Sequence, residues 1–138
     1  MAVTGVANLA VKVADLDSAI QFYRDAGAVV SGRDPWNGGE RVDVQLGALS
    51  LTLFTRASYE DDVELPDEGF LHVATFTDDL DREIQGHRVV WGPGVVEGVF
   101  GKRRIVFVEA PGNMRLEFME QLEPPADRTA LVAPKEGA

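Results

Sequence analysis

The stretch "NLAVKVADLDSAIQ" (residues 8–21) decides the fold, because the chain carries a second version of it. Laid over "HVATFTDDLDREIQ" (72–85) at an offset of 64 and without a gap, Ala10 meets Ala74. Asp15, Leu16 and Asp17 meet Asp79, Leu80 and Asp81, and Ile20 and Gln21 meet Ile84 and Gln85. A second pair follows at offset 65: "GALSLTLF" (47–54) over "GNMRLEFM" (112–119), with Gly47 on Gly112 and Leu51 on Leu116. Self-similarity at a fixed period marks a repeated supersecondary unit. The chain therefore reads as module one (5–56), an acidic linker (57–68), module two (69–122) and a Pro/Ala-rich tail (123–138) expected to be poorly ordered.

Each module has a local reading. "VANLAVKV" alternates small and branched residues, as a half-buried strand does. Asp15 suits an N-cap and Asp17 the first turn of a helix. Leu16, Ala19, Ile20 and Tyr23 fall on one helical face, and Gly27 is a stop. Strand signals follow at 28–32, 41–46 and 49–54, the last two joined by a tight turn at Gly47. Module two repeats the order with a strand at 70–76, a helix at 79–85 and strands near 88–91, 103–108 and 114–119. Gly86 follows Gln85 directly, so the second helix is shorter than the first. The fold class is α+β, two tandem βαβββ modules. The glycine-rich segments 33–40 and 92–101 read as loops that border a binding site.

Composition excludes several classes of function. With 138 residues, 45% of them hydrophobic, there is material for one domain with a real core. There is no cysteine, hence no disulfide and no thiolate nucleophile or ligand. A formal charge of −10 opposes contact with nucleic acid or anionic membrane and suits a cationic ligand. "GKRR" (101–104) is the one basic cluster; it reads as a turn entering a strand, with a phosphate or carboxylate contact as the alternative. The acidic run 59–69 reads as a solvated linker. No apolar run approaches the roughly 18 residues of a membrane span, and no basic region precedes an apolar N-terminal core, which favours the cytoplasm.

Alternation assigns the strand faces. Leu9, Val11 and Val13 go under the first helix with Leu51 and Leu53, and Val73 and Thr75 go under the second with Leu116 and Phe118 nearby. Asn8, Thr52, His72 and Glu117 then occupy equivalent places on the opposite face. If the two halves of the sheet curl together, those four line one cavity. An imidazole and a carboxylate converging there make a candidate divalent-metal site; a hydrogen-bonded polar pair is the alternative.

Three segments, "NLAVKVADLDSAIQFYRDAG", "FLHVATFTDDLD" and "EAPGNMRLEFME", resemble the vicinal oxygen chelate superfamily, the group of glyoxalases, bleomycin-resistance proteins and extradiol dioxygenases. The resemblance spans residues 5–122. It implies a cup-like, partly open β-barrel, metal ligands on the first and last strands of each module, and a homodimer. Carried over position by position, His72 and Glu117 match a family His and Glu, Asn8 stands where many members have His, and Thr52 stands where glyoxalases have Glu. The implied metal is Zn, Ni, Mn, Fe or Mg, held by His72, Glu117 and Asn8. The implied function is a metal-assisted lyase, isomerase or dioxygenase acting on a small molecule with vicinal oxygens, with Glu117 as ligand and base and Asp43 as a further candidate base. The alternative is a metal-free drug- or antibiotic-binding protein of the bleomycin-resistance type. Thr52 and the aromatic residues Trp36, Phe54, Phe76, Trp91 and Phe100 are the candidate substrate-binding residues under either reading.

Overall fold

A computed structural model describes residues 3–125. The elements run β1 (Val3–Lys12), α1 (Leu16–Asp25), β2 (Val29–Trp36), β3 (Gly39–Leu46) and β4 (Leu49–Phe54), then β5 (Gly69–Thr77), α2 (Leu80–Ile84), β6 (Val89–Gly98), β7 (Gly101–Ala110) and β8 (Met114–Glu123). All eight strands form one curled sheet in the order β2-β3-β4-β1-β5-β8-β7-β6. The order is a palindrome of modules, with β1 and β5 antiparallel at the seam. Within each module the first strand lies parallel to the last: Ala10 pairs with Thr52, and Ala74 pairs with Glu117.

Both helices begin as the repeat predicts. Asp15 and Asp79 are the N-caps, their carboxylates accepting from the Ser18 and Arg82 backbone N–H groups at 3.2 and 3.1 Å. α1 buries Leu16 and Ile20 on Val42, Val44, Leu51 and Leu53. Full burial of such a side chain stabilises by about 1.5–3 kcal/mol. The shorter α2 contributes Leu80 to a smaller cluster with Val106, Val108 and Phe118. The opposite face of the sheet carries a third cluster, in which Ala10, Phe54, Leu71, Ala74, Ile105, Phe107 and Met119 meet across both modules.

Three expectations need correction. The segments 33–40 and 92–101 are mostly strand: β2 and β6 run on to Trp36 and Gly98, and the turns at 37–38 and 99–100 are two residues long. Both are edge strands, where Pro35 and Pro93 are tolerated without breaking a ladder. The acidic segment 57–68 is not a simple solvated linker, since it delivers Ala57 and Tyr59 to the central cluster with Tyr59 fully buried. Glu60 anchors the segment by bonding Lys12 Nζ at 2.5 Å and the Ala57 N–H at 2.9 Å. β8 extends to Glu123, and the rest of the expected tail from 126 lies outside the described residues. Among the described residues no helix is long and apolar enough to cross a membrane.

Candidate functional site

Alternation along the seam strands sends Asn8 and His72 to the concave face with Ala10 and Ala74, and Thr52 and Glu117, the parallel partners of those two alanines, follow them. The register slips where Ala10 faces His72 and Val11 faces Phe70, leaving Leu71 as the extra residue of a bulge. Arg115 holds the kinked backbone, its Nε donating to the Leu71 carbonyl at 2.9 Å. His72 is thereby fixed over the middle of the sheet, 5% exposed.

The cleft at this point is lined by Asn8, His72 and Glu117 from the sheet centre, by Arg41 and Arg103 from the flanking hairpins, and by the rings of Trp36, Phe54, Phe100 and Phe107. Its enclosed space is about 30 Å³ as open to the centres of water molecules. That is room for about two waters. The tips of the two hairpins meet beside it. Trp36 packs against Gly98, where a Cβ would stand 3.6 Å from the indole ring.

His72 sits in a chain of polar contacts. Its Nδ1 is 2.9 Å from the Tyr59 hydroxyl, and its Nε2 is 3.3 Å from Glu117 Oε1. Burial pushes the Tyr59 phenol well above its ordinary value, so it stays protonated. The other polar group beside that phenol is the Arg115 guanidinium, which can only donate. The phenol and Nδ1 share one hydrogen bond whose direction follows the imidazole tautomer, and Nε2 is the ring nitrogen nearer Glu117.

Asn8 donates its amide N–H to the Thr52 hydroxyl, which donates onward to Asp43 Oδ1 at 3.1 Å. Arg41 is 6% exposed; its Nη2 bonds Asp43 at 2.5 Å while its Nε has no acceptor. Its guanidinium lies over Trp36 and Phe54, 5.3 and 5.7 Å from the ring centres. Arg103 is 5% exposed and poorly partnered: Nε reaches the Gly101 carbonyl at 3.4 Å and Nη1 the Met119 sulfur at 3.1 Å. Burial lowers its pKa below the ordinary value, the nearby Glu117 acting against that shift and Arg41 with it.

Of the residues singled out in the sequence, the structure brings Asn8, His72, Glu117, Trp36, Phe54 and Phe100 together at the cleft. Four others stand behind it. Thr52 is buried beneath Asn8, and Asp43 is committed to Arg41 and Thr52 rather than facing His72. Phe76 stacks edge-on against Phe100, and Trp91 packs on Phe107. Arg41, Arg103 and Tyr59 are the additions. Alternation would have found Arg41, which shares the face of Asp43. Arg103 lay in the basic cluster read as a turn entering a strand, and β7 does begin there after the turn at 99–100; what the sequence did not show is that its side chain is buried.

His72 and Glu117 are the one imidazole and the one carboxylate that line the cleft, which falls short of the ligand set of a catalytic zinc site. Catalytic metal sites use three imidazole, carboxylate or thiolate ligands. No group of three His, Cys, Asp or Glu stands together among the described residues. Two guanidiniums on the same walls oppose a further positive charge.

No family model matches this chain, and no curated protein matches it. Among solved structures, methylmalonyl-CoA epimerase from Mycobacterium tuberculosis is similar at 24% identity and TM-score 0.65, over 93% of this chain and 92% of that one. A glyoxalase/bleomycin resistance protein/dioxygenase superfamily member from Vibrio splendidus 12B01 gives 12% identity and TM-score 0.58, over 83% and 97% of the two chains. A Mn(II)-bound glyoxalase from Novosphingobium aromaticivorans gives 20% identity and TM-score 0.58, over 92% of this chain and 42% of that one. The chain has the vicinal oxygen chelate fold, two βαβββ modules closing a cup. At these identities the likeness shows the fold and leaves the chemistry to the cleft.

Proposed function

We propose that the protein is a metal-free small-molecule-binding cup of the bleomycin-resistance type. The observation that supports this reading is the Tyr59–His72–Glu117 contact chain: with the phenol donating to Nδ1, the imidazole hydrogen stands on Nε2, where a metal ligand would need a lone pair. Around that chain stand groups with spare hydrogen-bonding capacity and aromatic walls, the composition of a small-molecule site. The volume closed under Trp36 and Phe100 is enough for a small polar head group.

One observation favours the metal-assisted enzyme. The 3.3 Å between His72 Nε2 and Glu117 Oε1 is also the spacing of two ligands on one ion, each about 2.1 Å from it. Metal content decides between the readings. Protein purified without a His-tag or chelator is measured by ICP-MS before and after incubation with Mn, Fe, Ni or Zn, beside His72→Ala and Glu117→Ala. The cup reading expects no stoichiometric metal in any sample and saturable binders from a fragment library. One metal per chain, lost in both variants, overturns it in favour of the enzyme.

A further inference from the structure

The cleft offers an excess of donors over acceptors. Arg41 Nε–H is buried without an acceptor. Arg103 is buried, and among the described residues its Nη2 has no hydrogen-bond acceptor and its other nitrogens have weak ones. Asn8 has a second amide N–H beyond the one given to Thr52. Against these the lining presents one carboxylate, Glu117, 3.3 Å from His72 Nε2, with Asp43 behind the wall paired to Arg41. A buried guanidinium left short of acceptors is costly to the fold. Arg41 is such a group at Nε, although its Nη2 is paired with Asp43, and Arg103 beside it makes no ion pair among the described residues; together they describe a site with room for an anion.

Size and charge narrow the class. Space for about two waters matches a carboxylate head. A phosphate brings four oxygens and up to two charges, and the second charge would face Glu117. The walls around the guanidiniums are aromatic: Trp36 and Phe54 flank Arg41, and Phe100 flanks Arg103. Planar guanidinium recognises carboxylate by paired N–H bonds. Resting on the reading of the cleft as a metal-free cup, we infer that its ligand is an aromatic or apolar monocarboxylate whose head is held between Arg41 and Arg103.

The test titrates the full chain with benzoate, benzamide and benzylammonium, three probes of one shape and different charge. Arginine Nε–H and Trp36 indole signals are followed by ¹⁵N NMR. Benzoate is expected to shift the Arg41 and Arg103 signals saturably and to bind at least about tenfold tighter than either analogue. Arg103→Met and, separately, Arg41→Gln are expected to weaken benzoate at least tenfold while leaving the backbone spectrum folded. Equal binding of benzamide or benzylammonium, or unchanged benzoate binding in folded Arg103→Met, overturns the carboxylate assignment and leaves the cup reading standing. No cleft shift with any of the three probes or with a broad fragment library overturns both.

Discussion

Arg103→Met should make the protein more stable. The guanidinium is 5% exposed, its nearest acceptors are a carbonyl at 3.4 Å and a thioether, and Arg41 lies close enough to repel it. Burying such an ion costs several kcal/mol after relaxation. On the other side stand the contact with Phe100 at 5.5 Å, about 1–2 kcal/mol, and attraction to Glu117, with which it forms no direct ion pair. Methionine fills a similar length with an apolar, adaptable chain. The balance is a gain of about 1–2 kcal/mol, of the kind seen when buried charges give way to apolar residues. For 138 residues the unfolding entropy is about 290 cal/mol/K, so Tm should rise by roughly 3–7 °C. Urea denaturation followed by circular dichroism measures the change, with an unchanged m-value showing that the two-state comparison holds. A loss of more than about 1 kcal/mol would refute the reasoning, because it would make Arg103 a structural group rather than one retained at a cost for binding.

Three further outcomes follow from the packing. Leu53→Ala should lower unfolding free energy by about 2–5 kcal/mol, read from the urea midpoint, since Leu53 is fully buried beneath α1. Gly101→Ala should cost roughly 3 kcal/mol or prevent folding, because φ is +89° and a Cβ would stand 2.4 Å from the Glu123 carbonyl oxygen; a Tm within 2 °C of wild type, roughly 0.6 kcal/mol, would count against the tight turn. Burial acts to raise the Glu60 carboxyl, but the Lys12 ammonium and the Ala57 N–H outweigh it and hold it below the ordinary value. A depressed carboxylate contributes stability that is present above the unfolded carboxylate range and lost as pH falls through the folded value. Glu60→Gln should therefore lower stability at neutral pH and above while changing little in strong acid, which flattens the acid limb of the stability–pH curve.

Much of the fold was legible because the repeat ties two independent signals together. Asp15 and Asp79 each announced a helix, and the bulky residues Leu9, Val11, Leu51 and Leu53 each pointed to it, as the clusters confirm. The same parity placed Asn8, His72 and Glu117 on one face. The edge strands were under-read because Pro35, Pro93 and neighbouring glycines interrupt the alternation, which an edge tolerates and a central strand does not. Arg41 shares a face with Asp43 and was legible in principle; its charge argued for the surface, and what buries it is the ring stacking of Trp36 and Phe54 from other strands. Tyr59 carried no signal at all. It lies in an acidic segment without periodicity, and its place under His72 follows from the path of that segment across the cup.

The proton on His72 is the point on which the account turns, and Tyr59→Phe isolates it by removing the donor that sets the tautomer. The direct measurement is the long-range ¹H–¹⁵N spectrum of the two imidazoles in ¹⁵N-labelled protein at neutral pH, with and without excess Zn or Mn. The account predicts hydrogen on Nε2 of His72, a bare Nδ1 bonded by Tyr59, and no change on adding metal. Hydrogen on Nδ1, with the Nε2 signal shifted or broadened by metal, would contradict it and return the cleft to metal chemistry.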